Sequence, residues 1–325
     1  MTPVENLHKQ LIQIDSTSDN ENQIGEFLID LLKTNGFDVN KNIIDKNGFN
    51  VIAKYGEPRV YLEAHMDTVS PFLEYKETKT EIFGRGACDT KGCIASMIIA
   101  GIQAKNNGLN NFGFIFTVGE ENTFRGAKKI IESKIKIPFI IVGEPTSLEI
   151  VNSHYGMLTL KLIAKGKTAH SSRPEKGINA IDILLNDLEK IKKIKFNPKT
   201  LVSITKINGG TADNIIPDYA EAFVNFRIHP EDKIKYFQKF KKIFPELAIE
   251  QKLRKSIRTQ IPKELSFIKE VKEVKYMTEL SFLKNGVVLG PGNIEYAHSI
   301  NEKIEKSELN KAVEIYYQII KNYNL

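Results

Sequence analysis

Three apolar runs in this chain end in ionisable side chains, and that pattern constrains the fold more than any other feature of the sequence. Residues 60–64 (VYLEA) lead into His65 and Asp67, residues 112–118 (FGFIFTV) into Gly119 and Glu120-Glu121, and residues 138–142 (PFIIV) into Gly143 and Glu144. Short continuous apolar runs rich in β-branched and aromatic residues read as strands buried on both faces, as in an α/β domain. In open α/β sheets, ligands gather beyond the carboxyl ends of the strands. Three such ends would bring His65, Asp67, Glu120, Glu121 and Glu144 into one crevice. Carboxylates crowded in this way repel one another strongly unless cations occupy the space between them.

The rest of the chain supplies a frame for those strands. Helical periodicity recurs near 3–14, 22–35, 92–106, 124–134, 178–193, 231–243, 264–273 and 307–322, and further strand-like runs lie at 50–55 and 286–289. The middle reads differently. Alternating patterns at 155–165, 201–208, 219–228 and 247–253 suit a half-exposed antiparallel sheet carrying the helices at 178–193 and 231–243. The expected fold class is therefore α/β, with an inserted α+β domain. Residues 1–153 and 258–325 form the first domain and 154–257 the insertion, and 325 residues suffice for two cores.

Composition narrows the function classes. With 41% hydrophobic and 26% charged residues, the chain is ordinary for a globular protein, and it has no run apolar enough to span a bilayer. The opening MTPVENLHKQLIQI reads as an amphipathic helix without the apolar centre of a signal peptide. Cys88 and Cys93 lie five apart, which argues against a disulfide scaffold and for a reducing, cytoplasmic setting. The net charge of +6 invites a nucleic-acid reading. The lysines, however, interleave with apolar residues at helical spacing, and no nucleic-acid-binding motif is present.

Two more segments carry chemistry. GRGACDTKG, residues 84–92, sets Asp89 in a glycine-flanked turn before a helix, and LGPGNIEYAHS, residues 289–299, presents His298 after a Gly/Pro turn. Imidazole with carboxylate is the ligand chemistry of zinc, cobalt or manganese. Taken singly, each signal has an ordinary reading: a hydrogen-bonded histidine, a solvated Glu-Glu pair, a turn before Pro145, a buried spectator thiol at Cys88. Their order along one chain is what is specific.

The series HMD, GRGACDTKG, GEEN, GEPTS, GKTAHSSRP and LGPGNIEYAHS resembles the dinuclear M20 metallopeptidases over nearly the whole length, most closely the acetylornithine deacetylases. The resemblance implies two divalent ions per chain, zinc or cobalt with manganese as an alternative. His65 and Glu144 would bind the first ion, Glu121 and His298 the second, and Asp89 would bridge them. Asp67 would orient the His65 ring, and Glu120 would act as general base and acid. The implied catalytic domain is zinc-peptidase-like, with a mixed central sheet flanked by helices. In the insertion, implied to be a ferredoxin-like dimerisation and lid domain, His170 would stabilise an oxyanion. Arg227 would clamp a substrate carboxylate, and Asn214 would lie near the substrate.

The implied reaction is hydrolysis of the amide bond of a small N-acyl amino acid. N-acetylornithine, in arginine biosynthesis, leads because of the Thr278-Glu279 step, where Glu279 would meet the substrate ammonium. Alternatives are release of lysine or ornithine from an acidic amino-group carrier protein, succinyl-diaminopimelate desuccinylation, and, from a different class, a non-catalytic binding protein on the same fold. A homodimer through the insertion is the implied assembly. The cysteine preceding Asp89 and the short overall length depart from the family pattern.

Overall fold

The computed structural model describes every residue except 47, 233–239, 241–243 and 245–246, and of Gln251 only the backbone. The described residues form two compact units. One comprises Met1–Asn152, Thr259–Glu273 and Thr278–Leu325; the other comprises Ser153–Arg258 with Val274–Met277. Val274–Met277, expected from the sequence in the first domain, belong to the second unit.

The first unit is built on a mixed sheet. Its order is Asp38–Asp45, Gly48–Tyr55, Phe112–Thr117, Val60–His65, Ile140–Val142, Gly286–Val288 and then the strand around Val151. Val60–His65 runs parallel to both Phe112–Thr117 and Ile140–Val142, and Gly286–Val288 runs parallel to Ile140–Val142. These four strands therefore finish at one edge. In register, His65 lies opposite Thr117, and Glu63 opposite Val142. Two residues further on, His65 and Glu144 emerge side by side.

Helices cover both faces of this sheet. Phe49 abuts Gly25 of helix Asn22–Thr34, whereas its neighbour Asn50 donates from Nδ2 to the Gly126 carbonyl (3.0 Å) in helix Arg125–Glu132. Successive strand residues point to opposite faces, so the two helices lie on opposite sides. The larger core packs Leu62 and Ala64 with Ile94 and Ile98 of helix Lys91–Asn106 and with Leu309, Tyr316 and Ile320 of helix Lys306–Asn324. Each such leucine or isoleucine, fully buried, contributes about 1.5–3 kcal/mol. No helix among the described residues is long and apolar enough to cross a membrane.

The second unit is an antiparallel sheet in the order Leu201–Gly209, Tyr219–Ile228, Gly156–Lys165, Ala248–Arg254. Leu158, Leu160, Leu162, Ala222, Val224 and Phe226 turn to the buried face, against Leu184 and Leu188 of helix Ala180–Lys193. The helix expected over 231–243 falls mostly outside the described residues. The helix expected over 264–273 is replaced by a 3₁₀ turn, Lys263–Leu265, and a strand, Val271–Val274. Leu265 alone of that segment is fully buried, and the Ile150 N–H donates to the Glu270 carbonyl (3.0 Å), so sheet-edge pairing overrides helical periodicity there.

Gly113, in a central strand, has no room for a side chain. A Cβ on Gly113 would lie 2.5 Å from the Tyr61 ring and 2.7 Å from the Ala53 carbonyl oxygen. Gly113→Ala is expected to destabilise the fold by about 1–3 kcal/mol, read as a lowered urea midpoint. An unchanged midpoint would contradict this packing.

Candidate metal centre

Asp89 occupies the middle of the site. Its Oδ1 faces the His65 Nε2 (3.0 Å) and its Oδ2 faces the His298 Nε2 (3.3 Å), so the two carboxylate oxygens serve different imidazoles. The His298 Nε2 also lies 2.9 Å from Glu121 Oε2. His65, Asp89 and Glu121 offer ligand atoms that all fall within 4.8 Å of one another. Glu144 is buried at the end of its strand, where it acts electrostatically on Asp89, His65 and Glu121. His298 itself sits at φ 60°, a left-handed conformation uncommon for a non-glycine residue and often found at functional sites.

The acids here are crowded. Burial, reinforced by the Asp89 charge, holds Glu144 well above the usual carboxylate range, and burial with the Glu144 charge does the same to Glu120. Burial also raises Glu121, against the opposing His298 hydrogen bond. Burial would raise Asp89 too, but the hydrogen bonds from His298 and His65 hold it below its ordinary value. The histidines respond in kind. His298 is pushed up to about 10 by Asp89 and then Glu121, and His65 rises well above its usual value because Asp89 outweighs the effect of burial. Such a set fits divalent cations: two imidazoles and several carboxylates converge, with more negative charge than protons alone relieve well.

The neighbours of these residues differ in part from the sequence reading. The His65 Nδ1–H donates to the backbone carbonyl of Asp67 (2.9 Å), while the Asp67 carboxylate lies 3.6 Å away. That carboxylate accepts instead from the Glu120 N–H (3.0 Å), the Glu121 N–H (3.1 Å) and Ser18 Oγ (3.0 Å). Asp67 thus fixes the ring through its carbonyl and the Glu-Glu turn through its side chain. Glu279 departs further from its expected place. It is 1% exposed, and its Oε2 accepts from Thr117 Oγ1 (2.6 Å), which also touches Glu63 Oε1 (3.1 Å). A hydroxyl has one proton, so one of the two carboxyls must be protonated to make the second contact. Glu279 therefore does not face solvent to await a substrate ammonium.

The sequence reading also passed over Glu63, Thr117, Arg85 and Glu302. Glu63 had a visible signal, a charge inside a run otherwise read as buried on both faces. Cys88 is buried, donates to the Asn293 carbonyl (3.2 Å), and has its thiol pushed up by burial, which leaves little thiolate. In the second unit, His170 pairs across a short ladder with Ile215, and the Ser171 N–H donates to the Asn214 carbonyl (2.9 Å), so His170 and Asn214 lie on facing segments of one ladder. Arg227 lies in strand Tyr219–Ile228, opposite Leu201 and Met157, half-buried, with its pKa lowered by that burial.

The model of peptidase family M20/M25/M40 matches residues 61–322. The chain belongs to that family. A Talaromyces marneffei protein named "Probable carboxypeptidase" is 30% identical, with 98% of this chain and 85% of the relative covered. The crystal structure of a tripeptidase from Staphylococcus aureus superposes with a TM-score of 0.87 at 23% identity, covering 99% of this chain and 98% of that one. A Bacillus subtilis protein described as a dinuclear metal-binding peptidase of the M20 family superposes at 0.75 and 16% identity, covering 98% and 96%. As a member of the M20/M25/M40 peptidases, the chain is a hydrolase of the metallopeptidase and amidohydrolase kind.

The buried carboxyl pair gives this M20 protein a pH signature. Burial raises both Glu63 and Glu279 above their ordinary value of 4.5, so the folded state holds protons that the unfolded state releases. Stability of the chelator-treated protein should therefore fall as pH rises above 4.5 through the raised values. Glu279→Gln should flatten that fall in urea titrations at stepped pH, and an identical slope would contradict the shared-proton arrangement.

Proposed function

We propose that this chain uses two divalent ions to hydrolyse the terminal amide bond of a short peptide or related N-acyl amino acid bearing a free carboxylate. The observation carrying the reading is the division of the Asp89 carboxylate between His65 on one side and His298 with Glu121 on the other. His65, Asp89 and Glu144 would hold one ion, and Asp89, Glu121 and His298 the other. Zinc or cobalt suits these donors. When bound, the ions would supply Lewis acidity at the amide carbonyl and lower the pKa of water.

The chain's own residues supply the remainder. Glu120, raised by burial and by Glu144, is suited to take a proton from the attacking water and return it to the departing nitrogen. Asp67 holds the Glu120 backbone in place. For His170, the Ser172 N–H donates to Nδ1 (3.1 Å), which makes Nδ1 the acceptor and leaves the proton on Nε2 to donate to an oxyanion. Arg227 offers a planar guanidinium for the substrate carboxylate.

The names of the relatives favour a peptide, and the burial of Glu279 removes the main ground for N-acetylornithine. We also propose a homodimer through the second unit. Its edge strand Leu201–Gly209 is exposed along most of its length, with Leu201, Val202 and Ile207 open to solvent, a ready template for pairing.

Two measurements test this reading. Zinc- or cobalt-loaded protein, offered dipeptides, tripeptides and N-acetylornithine in parallel, should release free amine fastest from a peptide; preference for N-acetylornithine would overturn the peptide assignment. Glu120→Gln should retain its metal and lose about 10²–10⁴-fold in kcat. Near-normal turnover in that variant would remove Glu120 from the chemistry.

A further inference from the structure

Arg85, which lies outside the proposed ligand set, is among the largest fully buried side chains and is 1% exposed. Its Nη1 donates to Glu302 Oε2 (2.7 Å) and to the Ser299 carbonyl (3.2 Å), and its Nε donates to the Pro71 carbonyl (3.1 Å). Glu302, equally buried, turns its other oxygen to the Asp89 turn, where Oε1 accepts from the Cys88 N–H (3.0 Å) and the Asp89 N–H (3.0 Å). The Gly84 N–H donates to the Glu302 carbonyl (3.2 Å). One ion pair thus closes the circuit between the turn carrying Asp89 and the loop that begins at His298.

We propose that Arg85 and Glu302 are positioning residues for the metal centre, fixing the direction of the Asp89 carboxylate and binding its turn to the His298 loop. The proposal rests on the two-ion reading of the site. Asp89 must point one oxygen at each half of the centre, and an aspartate has only two side-chain torsions with which to do so. Its backbone must therefore be set independently. Two adjacent N–H groups anchored on one carboxylate, itself held by a bidentate-capable guanidinium, provide that setting. His298 needs the same help, since its left-handed backbone is not self-supporting and its side chain is about half exposed. The hydrogen bond from Arg85 to the carbonyl of Ser299, the next residue, supplies it.

A buried ion pair by itself is weak evidence of stabilisation, because desolvation offsets much of the attraction. Its location between two ligand-bearing loops points to geometry.

The test uses the full-length protein, zinc competition against a chelator, and the visible spectrum of the cobalt-loaded form. Glu302→Gln keeps an acceptor for the two amides but sets an NH₂ group against the guanidinium. It should bind zinc at least about tenfold more weakly, alter the cobalt absorption bands, and lower kcat with little change in KM. Arg85→Lys keeps the positive charge but not the three-way contact; it should show the same pattern, and it carries the test if Glu302→Gln does not fold. Variants with lowered thermal midpoints but wild-type zinc affinity and cobalt spectrum would overturn the proposal and leave the pair merely structural. Wild-type protein that binds no zinc or cobalt would sink the two-ion reading and the proposal with it. Wild-type protein that binds both ions, with variants that bind them equally well, would remove only the role of the pair.

Discussion

The structure turns on electrostatic crowding at one sheet edge. Glu144, Glu120, Glu121 and Asp89 are drawn together by strand ends and one turn, and burial removes the water that would screen them. Left as bare carboxylates, such a group would drive its own loops apart. The local geometry addresses this in two ways. Imidazoles face the carboxylates directly, and neighbouring groups hold each acid where repulsion would otherwise move it. The Asp67 carboxylate grips the Glu120-Glu121 backbone, Thr117 sits between Glu63 and Glu279, and Glu302 holds the amide of Asp89.

Those supports depend on the core beneath. Parallel strands Val60–His65, Phe112–Thr117 and Ile140–Val142 are buried along their whole length, so their register is fixed and their ends are precisely spaced relative to one another. A one-residue slip would exchange the sheet faces to which His65 and Ala64 point. The apolar runs and the ionisable ends are therefore one specification: the first sets the register that makes the second converge.

Much of this is legible in the sequence because it is periodic or punctuated. Buried strands announce themselves as apolar runs, and long helices such as Lys91–Asn106 and Lys306–Asn324 follow their apolar spacing closely. What escaped has physical causes. Strand Asp38–Asp45 is a sheet edge with no fully buried residue, so its sequence, DVNKNIID, shows no apolar pattern. Segment 264–273 carries helical spacing that sheet pairing overrides. Glu279 stands beside a plausible motif, but whether an acid faces solvent or a second buried acid is decided by the packing of distant strands. Asp67 sits where a ring-orienting carboxylate would be expected, yet the backbone carbonyl reaches the ring first. Arg85 and Glu302 lie 217 residues apart, and no local pattern links them.

The central claim is that two cations share Asp89. Anomalous diffraction at the zinc edge from a zinc-soaked crystal tests it most directly. The account predicts two peaks, each about 2.0–2.2 Å from an Asp89 oxygen, one also ligated by His65 and Glu144 and the other by Glu121 and His298. Peaks only at other residues, or none within coordination distance of Asp89, would contradict it.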